Sequence, residues 1–542
     1  TIVLLVLFTI PVLIPFIRSG YFPTHDGEWA VVRLADMYRT VIQDQQIPTR
    51  YSGYLNAGYG YPLFNFAYPF PYYIGLLPLA LNAGFVGSIK LLFALSIPLS
   101  AIVMFFFSKK LWNSTLAGII SAIVYTYAPY RMVDLFVRGS IGESLSFILF
   151  PALGFLSLKI SEKPMSAKSV VSFSLLFALL IGTHNIMMVL FAPILAIFTV
   201  FLILKKNKMS WRSFVFAWLL GIGLSTFFWL PALAEKHLIW LAETPIADRD
   251  LYFVSLRQVL IPSWGYAPPT ESGGFSYQLG ISQVILLLLS LVISGQLLFK
   301  KKRTFSHQVV LLFTTITVVT ILMMFSITSF VWSSVPLLKE INYPWTMLSQ
   351  AVWLIALLAG YLASLKTIIK TAGIALAIVA FVLTIPYARP AEYVDRGDDF
   401  YLSNDAVTTS SDEYLPLWTK TKPPHRADQK VQVEGEGFVR EVTYDSKSIS
   451  FSAELENEST ITINTIYYPG WQLLVRENKI PVTYDNEYGV MQFTLPAGNH
   501  QVRGFFRETP IRLLANSITG LSILIMALFV FARPVYSSVL KV

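Results

Sequence analysis

The first acidic residues of the chain stand together in Thr24-His25-Asp26-Gly27-Glu28-Trp29, just after an apolar segment that ends near residue 17. An ionisable side chain beside a membrane-spanning segment is costly to leave without a role, so Asp26 is a candidate general base for a substrate hydroxyl group. Asp26 and Glu28 could also hold a divalent cation, Mg²⁺ or Mn²⁺, through hard oxygen ligands. The alternative is structural: Asp26 would be the N-cap of a helix over 29–46, with Glu28 in its first turn.

A second cluster of charges lies in the segment 130–143, Tyr-Arg-Met-Val-Asp-Leu-Phe-Val-Arg-Gly-Ser-Ile-Gly-Glu. In a helix, the spacing of Arg131, Asp134 and Arg138 places these side chains on one face, where they can form ion pairs. The guanidinium groups of Arg138 and Arg131 are then candidates for binding a phosphate group, with Glu143 in the same site. The alternative is a salt-bridge cluster at the membrane interface that only fixes the loop.

Three further residues are candidate ligands for a substrate. His184 lies at the end of a predicted span, where its ring could contact a sugar hydroxyl group or a phosphate, or could cap the helix end. Lys236 and His237 could neutralise phosphate charge, although most exposed cations are only solvated surface.

The composition identifies the class of protein that must position these residues. Of the 542 residues, 54% are hydrophobic and 13% are charged, which is typical of a protein that spans the membrane several times. The net charge of +9 comes mostly from predicted cytoplasmic loops, so we interpret it as a topology signal and not as nucleic-acid binding. Cysteine is absent, which excludes disulfides, zinc-thiolate sites and thiol nucleophiles. The sequence contains no phosphate-binding Gly-rich loop, His-Glu-x-x-His motif or serine nucleophile elbow.

The hydrophobic runs predict about twelve spans, near 1–17, 86–107, 114–129, 141–160, 168–183, 185–204, 212–233, 276–299, 306–327, 344–365, 370–387 and 513–532. Clusters of Lys and Arg occupy alternate loops, at 109–110, 159–168, 205–212, 300–303 and 366–370. The positive-inside rule places these loops and both termini in the cytoplasm. A full crossing at 71–85 would invert every later loop, so we expect an embedded or re-entrant piece there. The long outer loops are then 18–85, 130–140, 234–275, 328–343 and 388–512.

The loop 388–512 differs from the rest of the chain because its second half alternates polar and apolar residues. The pattern predicts strands near 447–455, 460–466, 471–475, 489–495 and 500–506, separated by turn residues. We expect a small antiparallel β-sandwich or jelly roll outside the membrane. The predicted organisation is therefore a transmembrane domain over 1–387, a β-domain over 388–512, and a final span with a short cytoplasmic tail over 513–542.

Several motifs carry a family resemblance that extends over essentially the whole chain: His25-Asp-Gly27, Tyr127-Ala-Pro-Tyr-Arg131, Arg138-Gly-Ser-Ile-Gly-Glu143, Asn342-Tyr-Pro-Trp345, Tyr468-Pro-Gly-Trp471, Leu495-Pro-Ala-Gly498 and Thr509-Pro-Ile-Arg512. An acidic motif directly after the first span resembles GT-C-type membrane glycosyltransferases, which use polyprenyl-phosphate sugars. The set of motifs resembles, more narrowly, the bacterial YfhO-like and pyruvoyl-tetrahydropterin-synthase-related membrane proteins.

The resemblance implies an inverting glycosyl transfer on the outer face of the cell membrane. The donor would be a polyprenyl-phosphate sugar, and the acceptor a cell-envelope glycopolymer, glycolipid or protein. The catalytic residue of the family corresponds to Asp26, and the lipid-phosphate contacts correspond to Arg138 and neighbouring cations. Two departures are visible: Thr346 replaces an expected Arg after the Pro-Trp pair, and the acidic motif is not a full Asp-x-Asp, which leaves metal dependence open.

Two other functions remain alternatives. A transporter or flippase of lipid-linked glycans would also be polytopic and basic, but such proteins usually contain inverted repeats, and no internal repeat is visible. A non-catalytic envelope assembly protein whose β-domain binds glycan would not depend on Asp26.

Overall fold

The computed structural model describes residues 1–244, 246–269, 274–366, 368–403 and 412–531. The tail over 532–542 and part of the loop between the last two predicted spans, 404–411, lie outside the described residues.

The helices in the first half of the chain are α1 (Ile2–Ile17), α2 (Gly27–Tyr38), α3 (Leu63–Phe66), α4 (Phe70–Ala80), α5 (Gly84–Trp112), α6 (Thr115–Thr126), α7 (Pro129–Val133), α8 (Ile141–Glu162), α9 (Ala167–Thr183), α10 (Asn185–Lys205), α11 (Trp211–Leu224) and α12 (Thr226–Ala234). Those in the second half are α13 (Leu256–Leu260), α14 (Ile281–Leu298), α15 (Phe305–Leu322), α16 (Ser329–Ser334), α17 (Pro336–Lys339), α18 (Leu348–Ser364), α19 (Ile368–Thr384), α20 (Asp398–Ser403) and α21 (Pro510–Phe531).

Eight helices of the described chain are long and apolar enough to cross a membrane: α5, α8, α10, α14, α15, α18 with the turn before it, α19 and α21. A ninth span results if α11 and α12 act as one segment bent by 68°. The other three predicted spans coincide with α1, α6 and α9, which are shorter helices of 16, 12 and 17 residues. Each of the twelve predicted segments thus corresponds to an apolar helix, and the protein is a multi-pass helical membrane protein.

Most of the hydrophobic segment 71–85 belongs to the helix α4, which is too short to cross the membrane. It has 11 residues and contains Pro78. At 1.5 Å per residue its length is about 16 Å, which is roughly half the hydrocarbon thickness of a bilayer. At the centre of the bundle lies α18, which is entirely buried because other helices surround it on all sides.

The β-domain contains β1 (Val431–Glu434), β2 (Gly437–Tyr444), β3 (Ser448–Leu455), β4 (Ser459–Ile466), β5 (Trp471–Val475), β6 (Asn478–Ile480), β7 (Val490–Leu495) and β8 (Gly498–Phe506). They form two antiparallel sheets, ordered β1-β4-β7 and β2-β3-β8-β5-β6, which share one apolar core. The predicted strands correspond to β3, β4, β5, β7 and β8. The strand β2 escaped prediction because it is exposed along most of its length and lacks alternating burial. The more specific jelly-roll assignment stays a prediction.

A buried ionic junction joins the β-domain to the helical bundle. Arg512, at the start of α21, donates from Nη2 to Oε2 of Glu235 at 2.8 Å. Both side chains are almost completely buried. Tyr468 and Thr509 also donate to this carboxylate, so two of the family-like motifs meet at the junction. We therefore assign a structural role to these two motifs, since they connect the β-domain with α12 and α21.

Candidate active site

A cavity of about 440 Å³ opens on one side of the helical bundle. It is lined by His25, Asp26, Trp29, Ala30, Arg33, Tyr68 and Tyr72, by Arg138, Gly139, Ser140 and Ile141, by Ile246, Pro268, Pro269, Tyr343 and Trp345, and by Glu413. Each of the five loops predicted to lie on the outer side supplies some of these residues. Loops that lie on one side of a membrane can meet in this way, so their convergence agrees with the alternation of the positive clusters.

Backbone hydrogen bonds hold Asp26 against the end of the second charged cluster. The amide of Asp26 donates to the carbonyl oxygen of Arg138 at 2.7 Å, and the amide of His25 donates to that of Val137 at 3.0 Å. The Asp26 side chain makes no capping hydrogen bond, although the residue occupies the N-cap position of α2. The Thr24 hydroxyl group instead accepts from the amide of Gly27 at 2.9 Å. The Asp26 carboxylate therefore has no capping role and lies at the cavity.

Two glycines allow the segments of Asp26 and Arg138 to approach this closely. Gly139 has a φ of +68°, and a Cβ there would lie 2.0 Å from the Thr24 hydroxyl oxygen and 2.9 Å from Cα of Gly27. A Cβ on Gly27 would lie 2.2 Å from the same oxygen. A side chain at Gly139 would thus displace the backbone of Gly27, and one at Gly27 would displace the side chains of Thr24 and Tyr21. The His-Asp-Gly and Arg-Gly-Ser motifs thus interlock, which places one carboxylate and one guanidinium on the same cavity.

Arg138 is fixed by buried partners and reaches the cavity with 12% of its side chain exposed. Its Nη1 atom forms an ion pair with Glu143, donates to the hydroxyl group of Tyr130 at 3.2 Å and lies 3.8 Å from Asp134. The guanidinium also covers the ring of Trp345 at 4.8 Å. Burial alone would lower the pKa of Arg138, but the charges of Glu143 and its neighbours outweigh burial and raise the pKa well above its usual value. The guanidinium therefore stays charged.

The two carboxyl groups behind Arg138 differ in their surroundings. Glu143 accepts hydrogen bonds from Tyr130 and Arg138. Asp134 accepts one from Ser144 at 2.6 Å, and its other oxygen, 3.8 Å from Nη1 of Arg138, accepts no hydrogen bond from the described residues. Burial, together with the negative charge of Glu143, raises the pKa of Asp134 well above its usual range. The raised pKa favours the neutral form of Asp134, and Glu143 is the ion-pair partner that contacts Arg138 directly.

Helical periodicity along α2 adds a residue that the sequence analysis missed. Asp26, Trp29, Ala30 and Arg33 recur at spacings of three and four residues, so they share the face that lines the cavity. Arg33 forms a side-chain hydrogen bond with Tyr72, which also lines the cavity. The spacing from Asp26 was the signal that could have identified Arg33.

Glu413 was also missed, because it reaches the cavity from a segment that is distant in sequence. Backbone hydrogen bonds between 238–241 and 413–417 hold this segment in place, among them Leu241 to Glu413 at 2.9 Å. Burial, the neighbouring Tyr252 and the charge of Asp26 raise the pKa of Tyr343 to about 12. Arg138 lowers and Glu413 raises the pKa of the Tyr343 hydroxyl group, and all three side chains line the same cavity.

The structure places five predicted ligands away from the cavity surface: Glu143 lies buried behind Arg138, and the other four lie elsewhere. Arg131 is buried in the bundle, donates to Ser100 at 3.0 Å and lies over the ring of Phe147. The His184 ring caps α10 by accepting from the amide of Met187, and it stacks on Tyr68 behind the cavity wall.

The other two lie in the loop after α12. Lys236 forms an ion pair with Glu340, and the exposed His237 ring contacts the carbonyl oxygen of Ala234. Among the described residues, neither lines the cavity.

The proposed metal pair is not assembled either. Glu28 forms an ion pair with Arg396 at 2.7 Å and is not among the described residues that line the cavity. Residues two apart at a helix start point to different sides, which separates Glu28 from Asp26. No group of three or more His, Cys, Asp or Glu side chains within the described ranges could hold a metal ion. Asp26 and Glu28 therefore do not form a shared cation site in this cavity.

Comparisons with known proteins place this architecture in a family. An uncharacterized protein of Lactococcus lactis subsp. cremoris is 24% identical over 245 residues, which cover 43% of this chain and 39% of that protein. The cryo-EM structure of the arabinofuranosyltransferase AftD from mycobacteria superposes with a TM-score of 0.47 at 15% identity, over 73% of this chain and 28% of that one. This chain thus spans well under half the length of either protein. Residues 64–393 match the model of the 6-pyruvoyl-tetrahydropterin synthase related domain of membrane proteins, and because this match covers more than half of the chain, the protein belongs to that family.

Proposed function

We propose that this protein is a membrane glycosyltransferase with its active site in the cavity between Asp26 and Arg138. The observation that carries the proposal is that one cavity is lined by a carboxylate that makes no capping hydrogen bond and by a guanidinium held in place by ion pairs. The segments that carry these two groups approach closely at Gly27 and Gly139. The volume of about 440 Å³ lies in the range of small-molecule sites.

In the proposed reaction, the acceptor hydroxyl oxygen attacks the anomeric carbon of a sugar carried on a polyprenyl phosphate. The Asp26 carboxylate takes the hydroxyl proton while the new glycosidic C–O bond forms. The bond between the anomeric carbon and the phosphate oxygen breaks, and the electron pair leaves with the polyprenyl phosphate. Attack from the face opposite the leaving group inverts the configuration at the anomeric carbon.

Arg138 is suited to stabilise the negative charge on the departing phosphate. Its ion pairs and hydrogen bonds to described residues all involve Nη1. A guanidinium carries five N–H donors, so Nε and Nη2 can bind phosphate oxygens while Nη1 stays anchored to Glu143. The raised pKa of Asp134 favours this role, because a second negative charge beside Arg138 would oppose binding of the phosphate.

Topology supports an active site on the outer face of the cell membrane. Every loop that lines the cavity is one that the positive-inside rule assigns to the outside. A flipped polyprenyl-phosphate sugar and a cell-envelope acceptor, whether glycopolymer, glycolipid or protein, would meet there.

The test compares Asp26→Asn with Glu28→Gln in membranes that contain the full chain. The probes are synthetic polyprenyl-phosphate pentoses and hexoses, supplied with a cell-envelope acceptor fraction, and the measurement is release of polyprenyl phosphate. We expect Asp26→Asn to slow release by about 10²- to 10⁴-fold, which is the usual contribution of a general base. Glu28→Gln should stay close to the wild type because Glu28 pairs with Arg396 outside the cavity.

Retained transfer by Asp26→Asn would overturn the assignment of the base. If the wild type moved the lipid-linked sugar across the membrane without releasing polyprenyl phosphate, the protein would be a transporter and the proposed enzyme activity would be refuted.

A further inference from the structure

Two short segments beside the cavity expose large apolar side chains. Leu251, Leu256 and Ile261 project from the segment 249–261, and Ile327, Phe330 and Leu337 project from 326–339. Their exposed fractions reach 75% at Ile327 and 74% at Leu251. Together these six residues form a surface that we call the apolar face. Large apolar side chains exposed together in this way mark a surface that contacts lipid, a ligand or another protein.

The two segments pack together and are anchored from behind. The amide of Val254 donates to the carbonyl oxygen of Met324 at 3.0 Å, and Nη1 of Arg249 donates to that of Trp332 at 3.1 Å. Trp332 and Val259 are buried on the inner side of the short helices α16 and α13. Each helix is thus apolar both toward the protein and away from it. This pattern is typical of an element that lies between protein and hydrocarbon.

The apolar face continues the lipid-facing surface of α15. That helix exposes Val319 and Leu322 in its last turn, and the chain enters the apolar face only a few residues later, at Ser326. If α15 spans the membrane, its last turn lies at one boundary of the hydrocarbon, so the apolar face lies at that boundary, on the same side as the cavity.

The apolar face also adjoins the cavity. Tyr252, next to Leu251, packs edge-to-face on Tyr343 with ring centroids 4.8 Å apart. Tyr343 in turn contacts Trp345, and both line the cavity beside Arg138. A lipid with its phosphate at Arg138 could therefore pass from the cavity, across this aromatic pair, onto the apolar face.

We propose that the apolar face binds the prenyl chain of the lipid phosphate whose headgroup lies at Arg138. This inference rests on the proposed function and adds the location of the chain. The headgroup and the chain are then recognised by different parts of the protein: the headgroup by a guanidinium inside the cavity, and the chain by Leu251, Phe330 and their neighbours outside it.

The experiment measures binding of undecaprenyl phosphate and of geranyl phosphate to the full chain in lipid nanodiscs. The test variant is Phe330→Ser combined with Leu337→Ser. The matched control is Leu77→Ser combined with Leu81→Ser, two exposed leucines at the end of α4. We expect the test variant to weaken binding of undecaprenyl phosphate on the order of tenfold and to leave geranyl phosphate unchanged, because only the long chain reaches the apolar face. The control should bind both probes as the wild type does.

Labelling with undecaprenyl phosphate that carries a photoreactive group on its chain provides a second measurement. We expect crosslinks in 249–261 and 326–339. Equal labelling of these segments by a photoreactive phosphatidylcholine would mean that bulk lipid covers the apolar face, and would overturn the inference.

The outcomes separate this inference from the proposed function. Suppose both probes bind and Arg138→Ala weakens both, but the test variant binds undecaprenyl phosphate as tightly as the control does. The phosphate site would then stand, and the inference about the chain would be wrong. If the wild type binds neither probe, both proposals fail.

Discussion

The cavity and the junction with the β-domain each contain an ion pair between an arginine and a glutamate. The two pairs differ in how many hydrogen-bond donors of the arginine are used by the protein. At the junction, Arg512 donates to Glu235 from both Nε and Nη2, at 3.1 and 2.8 Å, and further donors complete the carboxylate. At the cavity, the described contacts of Arg138 with Glu143 and Asp134 use one nitrogen, and part of the side chain faces open space. A buried ion pair whose carboxylate accepts several hydrogen bonds from the protein serves to hold elements together. One that leaves donors directed at a cavity can also bind a ligand.

The largest expected effect is on stability, at the junction. Arg512→Ala leaves the Glu235 carboxylate buried without its cation, which should lower the free energy of unfolding by about 3–5 kcal/mol. Thermal unfolding in detergent measures the change. The control is Arg503→Ala, which breaks the exposed pair with Glu477 and should cost less than about 1 kcal/mol. The protein that remains folded should still bind geranyl phosphate. If Arg512→Ala lost binding of geranyl phosphate without losing stability, the purely structural role assigned to the junction would be wrong.

The next effect is on binding, at the cavity. Glu143→Gln removes the charged partner that fixes Arg138 and should weaken binding of geranyl phosphate by about ten- to a hundredfold, as expected for a hydrogen bond to a charged group worth about 1.5–3 kcal/mol. Asp134→Asn should bind within about threefold of the wild type, because the amide resembles the neutral carboxyl group. If Asp134→Asn weakens binding as much as Glu143→Gln, then Asp134 is ionised and the account of the site is wrong.

The Asp134→Asn variant should also change how the free energy of unfolding depends on pH. The pKa of Asp134 is raised in the folded protein, so its contribution to stability is present at low pH and is lost as the pH rises through that raised value. Asp134→Asn should remove this decline, which unfolding measured across pH would show.

The smallest effect is expected for Gly139, where the segment that carries Arg138 packs against the segment that carries Asp26. Gly139→Ala puts a Cβ into the Thr24 hydroxyl group at a positive φ and should cost about 1–2 kcal/mol of stability. It should also weaken binding of geranyl phosphate, since Asp26 and Arg138 must move apart. Gly520→Ala is the control, because nothing lies within 4 Å of its added Cβ, and it should change stability by less than about 1 kcal/mol. Unchanged binding by Gly139→Ala would show that the interlock does not set the geometry of the site.

The sequence predicted which loops line the cavity, but it identified only some of the charged residues that lie there. Asp26 and Arg138 lie together at the cavity, although a role in catalysis or phosphate binding stays a prediction for both. Arg131 shows why the rest was harder. In a regular α-helix, Arg131 and Arg138, seven residues apart, share a face. The turn from Asp134 to Arg138 is instead a π-helix, and its extra residue rotates Arg138 toward the cavity while Arg131 stays in the bundle.

The sequence by itself determined the positions of the apolar helices, of the five strands predicted from alternating polar and apolar residues, and of the loops that meet at the cavity. These features depend on hydrophobicity, period and charge, which are local properties of the chain. Only the tertiary structure decided which charged side chains share a cavity. It brought Glu413 to the same cavity as Asp26 and buried Glu235 with Arg512 in the junction. Each of these arrangements joins residues that are far apart in the chain and depends on how closely two backbones can approach.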